Sequence, residues 1–241
     1  MKNFKKCAVY IAAVIMLFCG FSCQFFSSDK KAAEPGEILS EGTIIYSISY
    51  PGESSSPGKS FLYPSNMTLF FSGENIRTSF KGGMNLYGLD FLHSAECDSF
   101  FTLLNVLDRK FFVPSERSEA IFLFGSDDNV TIEYDDSDAM RNIGGYESRK
   151  AYIYHDNNDA FMSVWFTDEV GVEKPFPNTP FSNIPGIITE FTLNYENVNF
   201  HVKAKRVIRE SHSDELFVVP PPGYSRTTLE EIEELIASLM R

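Results

Sequence analysis

The side chains of this chain that could do chemistry are few and scattered. His93, His155, His201 and His212 lie far apart in sequence, and none pairs with a Cys or a second His at metal-ligand spacing. Each is expected on the surface. No Gly-x-Ser-x-Gly elbow, phosphate loop or dinucleotide fingerprint occurs. Acidic runs stand at Asp127-Asp128, at Asp135-Asp136-Ser137-Asp138 and between Asp156 and Asp159, and none follows the EF-hand order. Asp and Asn favour turns whatever else they do. The expectation is therefore no catalytic residue, no metal and no cofactor. Cys97, with no nucleophile motif around it, is expected to be a buried small hydrophobe.

Cys23 is different because of what precedes it. Lys2, Lys5 and Lys6 open the chain, and an apolar run follows from Ala8 to Phe21. Crossing a bilayer core takes about 20 apolar residues. The shorter run reads as the h-region of an export signal covering residues 1–22. Its end, Gly20-Phe21-Ser22-Cys23, resembles the lipobox of bacterial lipoprotein precursors. That resemblance implies cleavage before Cys23, acylation of Cys23 and attachment to a membrane of the cell envelope. Gln24, in place of the Asp of an inner-membrane retention signal, favours the outer membrane. Ordinary secretion without an anchor is the alternative.

Export would remove Cys7 and Cys19, and acylation would occupy Cys23. Cys97 would then have no partner for an intrachain disulfide. Stability must come from a packed core, for which 23 Phe and 11 Tyr supply large apolar areas. The formal net charge is -12, which disfavours nucleic acid and anionic membrane faces as partners.

The elements that would position these residues are strands. Residues 23–40, with Ser27, Ser28, Pro35 and Gly36, show no period and read as a flexible tether. From Glu41 apolar residues alternate: Ile44, Tyr46, Ile48 and Tyr50; then Met67, Leu69 and Phe71; then Ile76, Thr78 and Phe80 beyond a turn at Gly73-Glu74-Asn75. Phe100 to Val113 reads as a hairpin, and Ala120 to Phe124 as a short strand. Val130, Ile132 and Tyr134 alternate, and residues 137–145 read as a loop or short helix. Tyr146 to Tyr154 and Phe161 to Phe166 form a second hairpin, and Ile187 to Tyr195 with Phe200 to Ile208 a last one. Pro175, Pro177, Pro180 and Pro185 exclude regular structure between them.

The C-terminus predicts a helix, capped at Thr227 or Thr228. Leu229, Ile232, Ile236 and Leu239 share its apolar face. The expected fold is mainly β (α+β): one domain over residues 41–241, a curved antiparallel sheet or incomplete barrel of nine or ten strands, with the C-terminal helix packed on it.

A family resemblance rests on three short segments. Asn183-Ile184-Pro185-Gly186-Ile187-Ile188 resembles the hexapeptide of the GLPGLI family of bacterial envelope proteins. Ile143-Gly144-Gly145-Tyr146 through Lys150-Ala151 and Val164-Trp165-Phe166-Thr167 resemble two further segments of that family in the same order. The order of hairpins is also similar, at the level of fold, to LolA/LolB-like lipoprotein carriers. That likeness implies a half-barrel with an apolar cavity. Physically, Pro185-Gly186 predicts a type II turn entering a strand.

Three functions follow as expectations. The first is a non-enzymatic carrier that holds a lipid or other apolar ligand against Phe70, Phe101, Phe112, Phe122 and Phe166. It requires a cavity of roughly 300 Å³ or more. The second is an anchored subunit of an envelope protein complex. The third, a hydrolase, would need a deep cleft with paired carboxylates or a Ser-His contact.

Overall fold

The structure is a computed structural model. It describes residues 31–51, 62–115, 123–124, 129–137, 139–155, 160–172, 174–195 and 198–240. The signal segment, Cys23 and Phe122 lie outside the described residues. Lys31–Arg241 forms one compact unit, distinct from Met1–Lys30.

Alternation builds the first strands. In β2 (Glu41–Ser49), β3 (Asn66–Ser72) and β4 (Asn75–Lys81), Ile44, Tyr46, Met67, Leu69, Phe71, Ile76 and Phe80 point to one side and are buried. Gly73 takes a positive φ of 56° in the two-residue turn between β3 and β4. β5 (Tyr87–Ser94), β6 (Ser99–Val106) and β7 (Arg109–Ser115) extend the meander. On the other flank of β2 lie β8 (Val130–Tyr134), β9 (Arg141–Ile143), β10 (Tyr146–His155), β11 (Ala160–Thr167), β13 (Ile187–Tyr195) and β14 (Val198–Ile208).

The main sheet has 13 strands and is open. Its path runs β15 (Ser225–Arg226), β7, β6, β5, β4, β3, β2, β14, β13, β11, β10, β8, with β9 attached to β10. Every pairing in it is antiparallel except β15 with β7. The expectation of a mainly β, curved antiparallel sheet is met, with more strands than the sequence predicts. β5 was not expected, the stretch read as a loop or short helix contains β9, and β15 is two residues held by a neighbour.

Residues 31–40 lie against the sheet. Ala32 bridges Ile208, and the Ala33 N–H donates to Val207 O at 3.0 Å. β1 (Glu37–Ile38) pairs in parallel with β12 (Val170–Gly171), while Ala33 and Leu39 are buried. The compact unit starts at Lys31.

Two apolar clusters lie on opposite faces of the sheet. The large one collects Ile44, Tyr46, Met67, Phe80, Phe166, Phe191 and Val202 with the C-terminal helix α1 (Leu229–Met240). Thr228 Oγ1 caps the helix by accepting from Glu231 N–H at 3.3 Å, and the Thr227 hydroxyl donates to the Glu231 carboxylate. Ile232 and Ile236 are buried, with Leu229 and Leu235 half-buried beside them. Each such fully buried side chain contributes about 1.5–3 kcal/mol. Leu239 lies outside the described side chains. The smaller cluster holds Leu92, Leu103 and Phe217. It is roofed by the connection from β14 to α1, which carries a 3-10 helix at Asp214–Phe217.

Candidate functional site

Of the five phenylalanines expected to line one cavity, Phe122 lies outside the described residues, and the other four are divided between the two faces of the sheet. Phe70, Phe101 and Phe112 are half-buried around the smaller cluster, against Leu216, Val219 and Tyr224 of the roof. Phe166 is fully buried in the large cluster, on the other face. The roof is pinned from below by a partly buried ion pair. Arg77 binds the Asp90 carboxylate and donates from Nη1 to Leu216 O at 3.0 Å. His212 donates from Nε2 to Gly42 O at 2.9 Å and sets its ring edge-on to Phe70.

The concave face is instead filled by aromatic rings, several from outside the strands. Phe124 stands perpendicular to Phe91 with ring centres 5.4 Å apart, and lies 6.0 Å from Phe176. Phe176 and Phe181 belong to the Pro-rich segment between β12 and β13 and meet Phe191 at 5.7 and 5.1 Å. Four local hydrogen bonds order this segment. Thr179 Oγ1 donates to Phe176 O (2.8 Å) and accepts from Phe181 N–H (3.2 Å); Ser182 N–H donates to Thr179 O and Ile184 N–H to Phe181 O.

Where these rings meet the meander there is an apolar cleft, bounded by Ile76, Phe91, Phe100, Phe124, Phe176 and Pro177. It measures about 410 Å³ out to its open mouth but encloses only about 30 Å³ of free interior. The latter is room for one or two waters. His93 stacks on Phe100 at 4.6 Å and donates from Nδ1 to Glu74 O at 2.8 Å. Behind Phe176 sits Tyr46, fully buried, edge-on to both Phe176 (6.4 Å) and Phe191 (6.2 Å). Among the described residues its hydroxyl has no hydrogen-bond partner. Burial raises its pKa far above the ordinary tyrosine value, so it stays a neutral donor. An unsatisfied buried hydroxyl costs about 1–3 kcal/mol.

Sequence reasoning missed this group for definable reasons. Phe91 lies on β5, whose pattern Tyr87, Leu89, Phe91 alternates with Gly88 and Asp90, both atypical of a strand. Phe176 and Phe181 stand among prolines, where no period operates. Aromatic residues spaced through a Pro-rich segment were the available signal.

Titratable groups gather on the opposite, solvent-facing side of β11, β13 and β14. The Glu190 carboxylate lies 3.2 Å from Arg141, 3.3 Å from His201 Nε2 and 3.2 Å from Lys203. Burial pulls its pKa up, but hydrogen bonds from Lys203 and His201 and the charges of Lys203 and Arg141 outweigh this and hold it low. Arg141 also stacks on the half-buried Trp165, 4.7 Å from the ring centre. His201 Nδ1 is 3.3 Å from Oγ of Ser49, its register partner on β2. His93, His201 and His212 are thus half-buried and hydrogen-bonded rather than simple surface residues. Cys97 is exposed, contrary to expectation, because it sits in the β5–β6 turn. Among the described residues no group of three or more His, Cys, Asp or Glu side chains is placed to hold a metal ion. None of the described helices is long and apolar enough to cross a membrane.

No family model matches the chain, and no curated protein matches it. Solved structures similar to it include PNGF-II in two crystal forms. The C2 form aligns with a TM-score of 0.46 and the P21 form with 0.48, each at 11% identity over 83% of this chain. The chain spans about a third of the length of PNGF-II, 33% and 34% in the two forms.

Proposed function

We propose that this protein is a lipoprotein anchored through Cys23 and best described by what it holds rather than by any reaction: a non-catalytic envelope module that binds an apolar group in the cleft beside Phe176. The observation that carries this reading is the cleft itself, an open apolar mouth whose floor is made of loop-borne rings. Such rings shift at lower cost than side chains fixed on central strands. The export signal and lipobox resemblance support the anchor, the Gln24 position supports the outer membrane, and the GLPGLI-like segments support an envelope role. The resting interior of about 30 Å³ falls short of the roughly 300 Å³ that a lipid carrier requires, so the ligand in this reading is a small apolar group or the end of a chain, admitted only as the loop-borne rings shift.

Native mass spectrometry of the full chain, extracted from its host membranes, tests this. A co-purifying apolar molecule that is lost from a Phe100→Trp variant supports the reading. A co-purifying protein with no small molecule would replace it with the subunit of an envelope complex.

One observation favours a second reading, ester hydrolysis. Ser49, His201 and Glu190 stand in the order nucleophile, base and orienting carboxylate. Ser49 Oγ would attack an ester carbonyl carbon and pass its proton to His201 Nδ1, with Glu190 on Nε2–H; the ester C–O bond would then break as that proton passes to the leaving alcohol, and water, deprotonated by His201, would release the acid from Ser49. Labelling by a fluorophosphonate probe, lost in Ser49→Ala, would support it. Without labelling, the three residues are a cross-strand hydrogen-bond ladder.

A further inference from the structure

The Tyr46 hydroxyl is set into the aromatic wall formed with Phe176 and Phe191, and among the described residues it has no hydrogen-bond partner. A fully buried donor left unpaired is unusual in a folded protein and calls for a water, a ligand or a stored strain. A phenylalanine would fill the same space without the penalty. Phe176, the ring between Tyr46 and the cleft, lies on the connection between β12 and β13 and belongs to no strand. Moving that ring breaks no strand pairing.

We propose that Phe176 is a gate, and that Tyr46 behind it is the polar anchor for a neutral apolar ligand carrying one oxygen acceptor, such as a ketone or ester carbonyl. This rests on the cleft reading above and specifies its ligand. The hydroxyl donates to the ligand's oxygen, while the hydrocarbon part lies in the cleft against Phe91, Phe100 and Phe124. The anchor selects against a carboxylate. Among the cleft's lining residues only His93 can carry a charge, and an unpaired buried anion is far costlier than a buried carbonyl. An oxygen-free hydrocarbon would leave the hydroxyl unsatisfied and so gain nothing from it.

The test uses the full chain carrying Cys23→Ser, so that no detergent competes for the cleft. The probes are 2-nonanone, nonane and nonanoate, compared at equal thermodynamic activity by displacement of a fluorescent apolar dye. The wild-type cleft should prefer 2-nonanone to both others. Tyr46→Phe should fold with an unchanged or higher melting temperature, yet bind 2-nonanone about five- to tenfold more weakly and nonane equally well. If Tyr46→Phe binds 2-nonanone as the wild type does, the anchor is overturned while the cleft reading stands. If neither 2-nonanone nor nonane displaces the dye from the wild-type chain, both fail together. A Phe176→Ala variant separates the gate from the anchor. It should admit all three probes faster, and unchanged entry rates would remove the gate.

Discussion

At the scale of single residues, Gly186 shows how closely the C-terminal end of the Pro-rich segment, ten residues beyond Phe176, packs on the sheet. Its φ is +71°, and a Cβ there would meet Thr167 O at 2.1 Å. The positive φ is the type II geometry that Pro185-Gly186 predicts. Backbone strain and a collision with another backbone act together, so Gly186→Ala should destabilise the fold by about 2–3 kcal/mol. A urea midpoint that falls with the m-value unchanged would report it, and a change within about 0.5 kcal/mol would refute it. Glu190 makes a prediction in pH. Its carboxyl pKa is lowered in the folded state, so its contribution is present above the unfolded value near 4.5 and lost as pH falls through the folded one. Glu190→Gln should therefore flatten the loss of stability on acidification below about pH 4.5, read from thermal melts across that range. The candidate site was legible only in part at this scale. Phenylalanines were visible as cavity material, but their face was not. Phe70, Phe101 and Phe112 point away from Phe166 because strand parity and the β11–β13 register shift fix the face, and neither can be read from residue type alone.

At the scale of elements, the connection from β14 to α1 is a strap that exists because the sheet has apolar residues on both faces. Leu92 and Leu103 would otherwise be exposed. The strap offers Phe217 as its buried ring and is fastened by Arg77 to Leu216 O, by His212 to Gly42 O, and by the β15–β7 pairing. Phe217→Ala should cost about 3 kcal/mol and open the strap to limited proteolysis between residues 209 and 226. Cleavage elsewhere, or none, would contradict the strap as a separately released element. Strands β2, β3, β4, β13 and β14 were legible because each alternates cleanly between a buried and a wet face. β5 was not, since its inward-pairing Asp90 looks like a solvent residue until Arg77 on the neighbouring strand is known. β1, β9, β12 and β15 have two or three residues each and carry no period at all. They are strands only because a longer partner lies beside them, which is information held in the fold.

At the scale of the whole molecule, charge and the proposed anchor make separable predictions about membrane attachment. The chain's net charge is -12, so attraction to anionic lipid headgroups cannot hold it at a membrane; its field opposes that contact. Attachment through acyl chains on Cys23 would be hydrophobic and indifferent to salt, whereas an electrostatic contact weakens as the Debye length shrinks from about 10 Å at 0.1 M to about 3 Å at 1 M. One chain binds marginally and two or more bind stably. The full-length protein should therefore stay with membranes washed in 1 M salt and enter the detergent phase on temperature-induced partition. Cys23→Ser should move it to the aqueous phase without altering its melting temperature, because the compact unit begins at Lys31. A wild-type chain released by salt, or a Cys23→Ser chain that still partitions into detergent, would mean that the attachment lies in the sheet domain, and the exposed apolar residues Ile38, Met84 and Leu107 would be the first places to look.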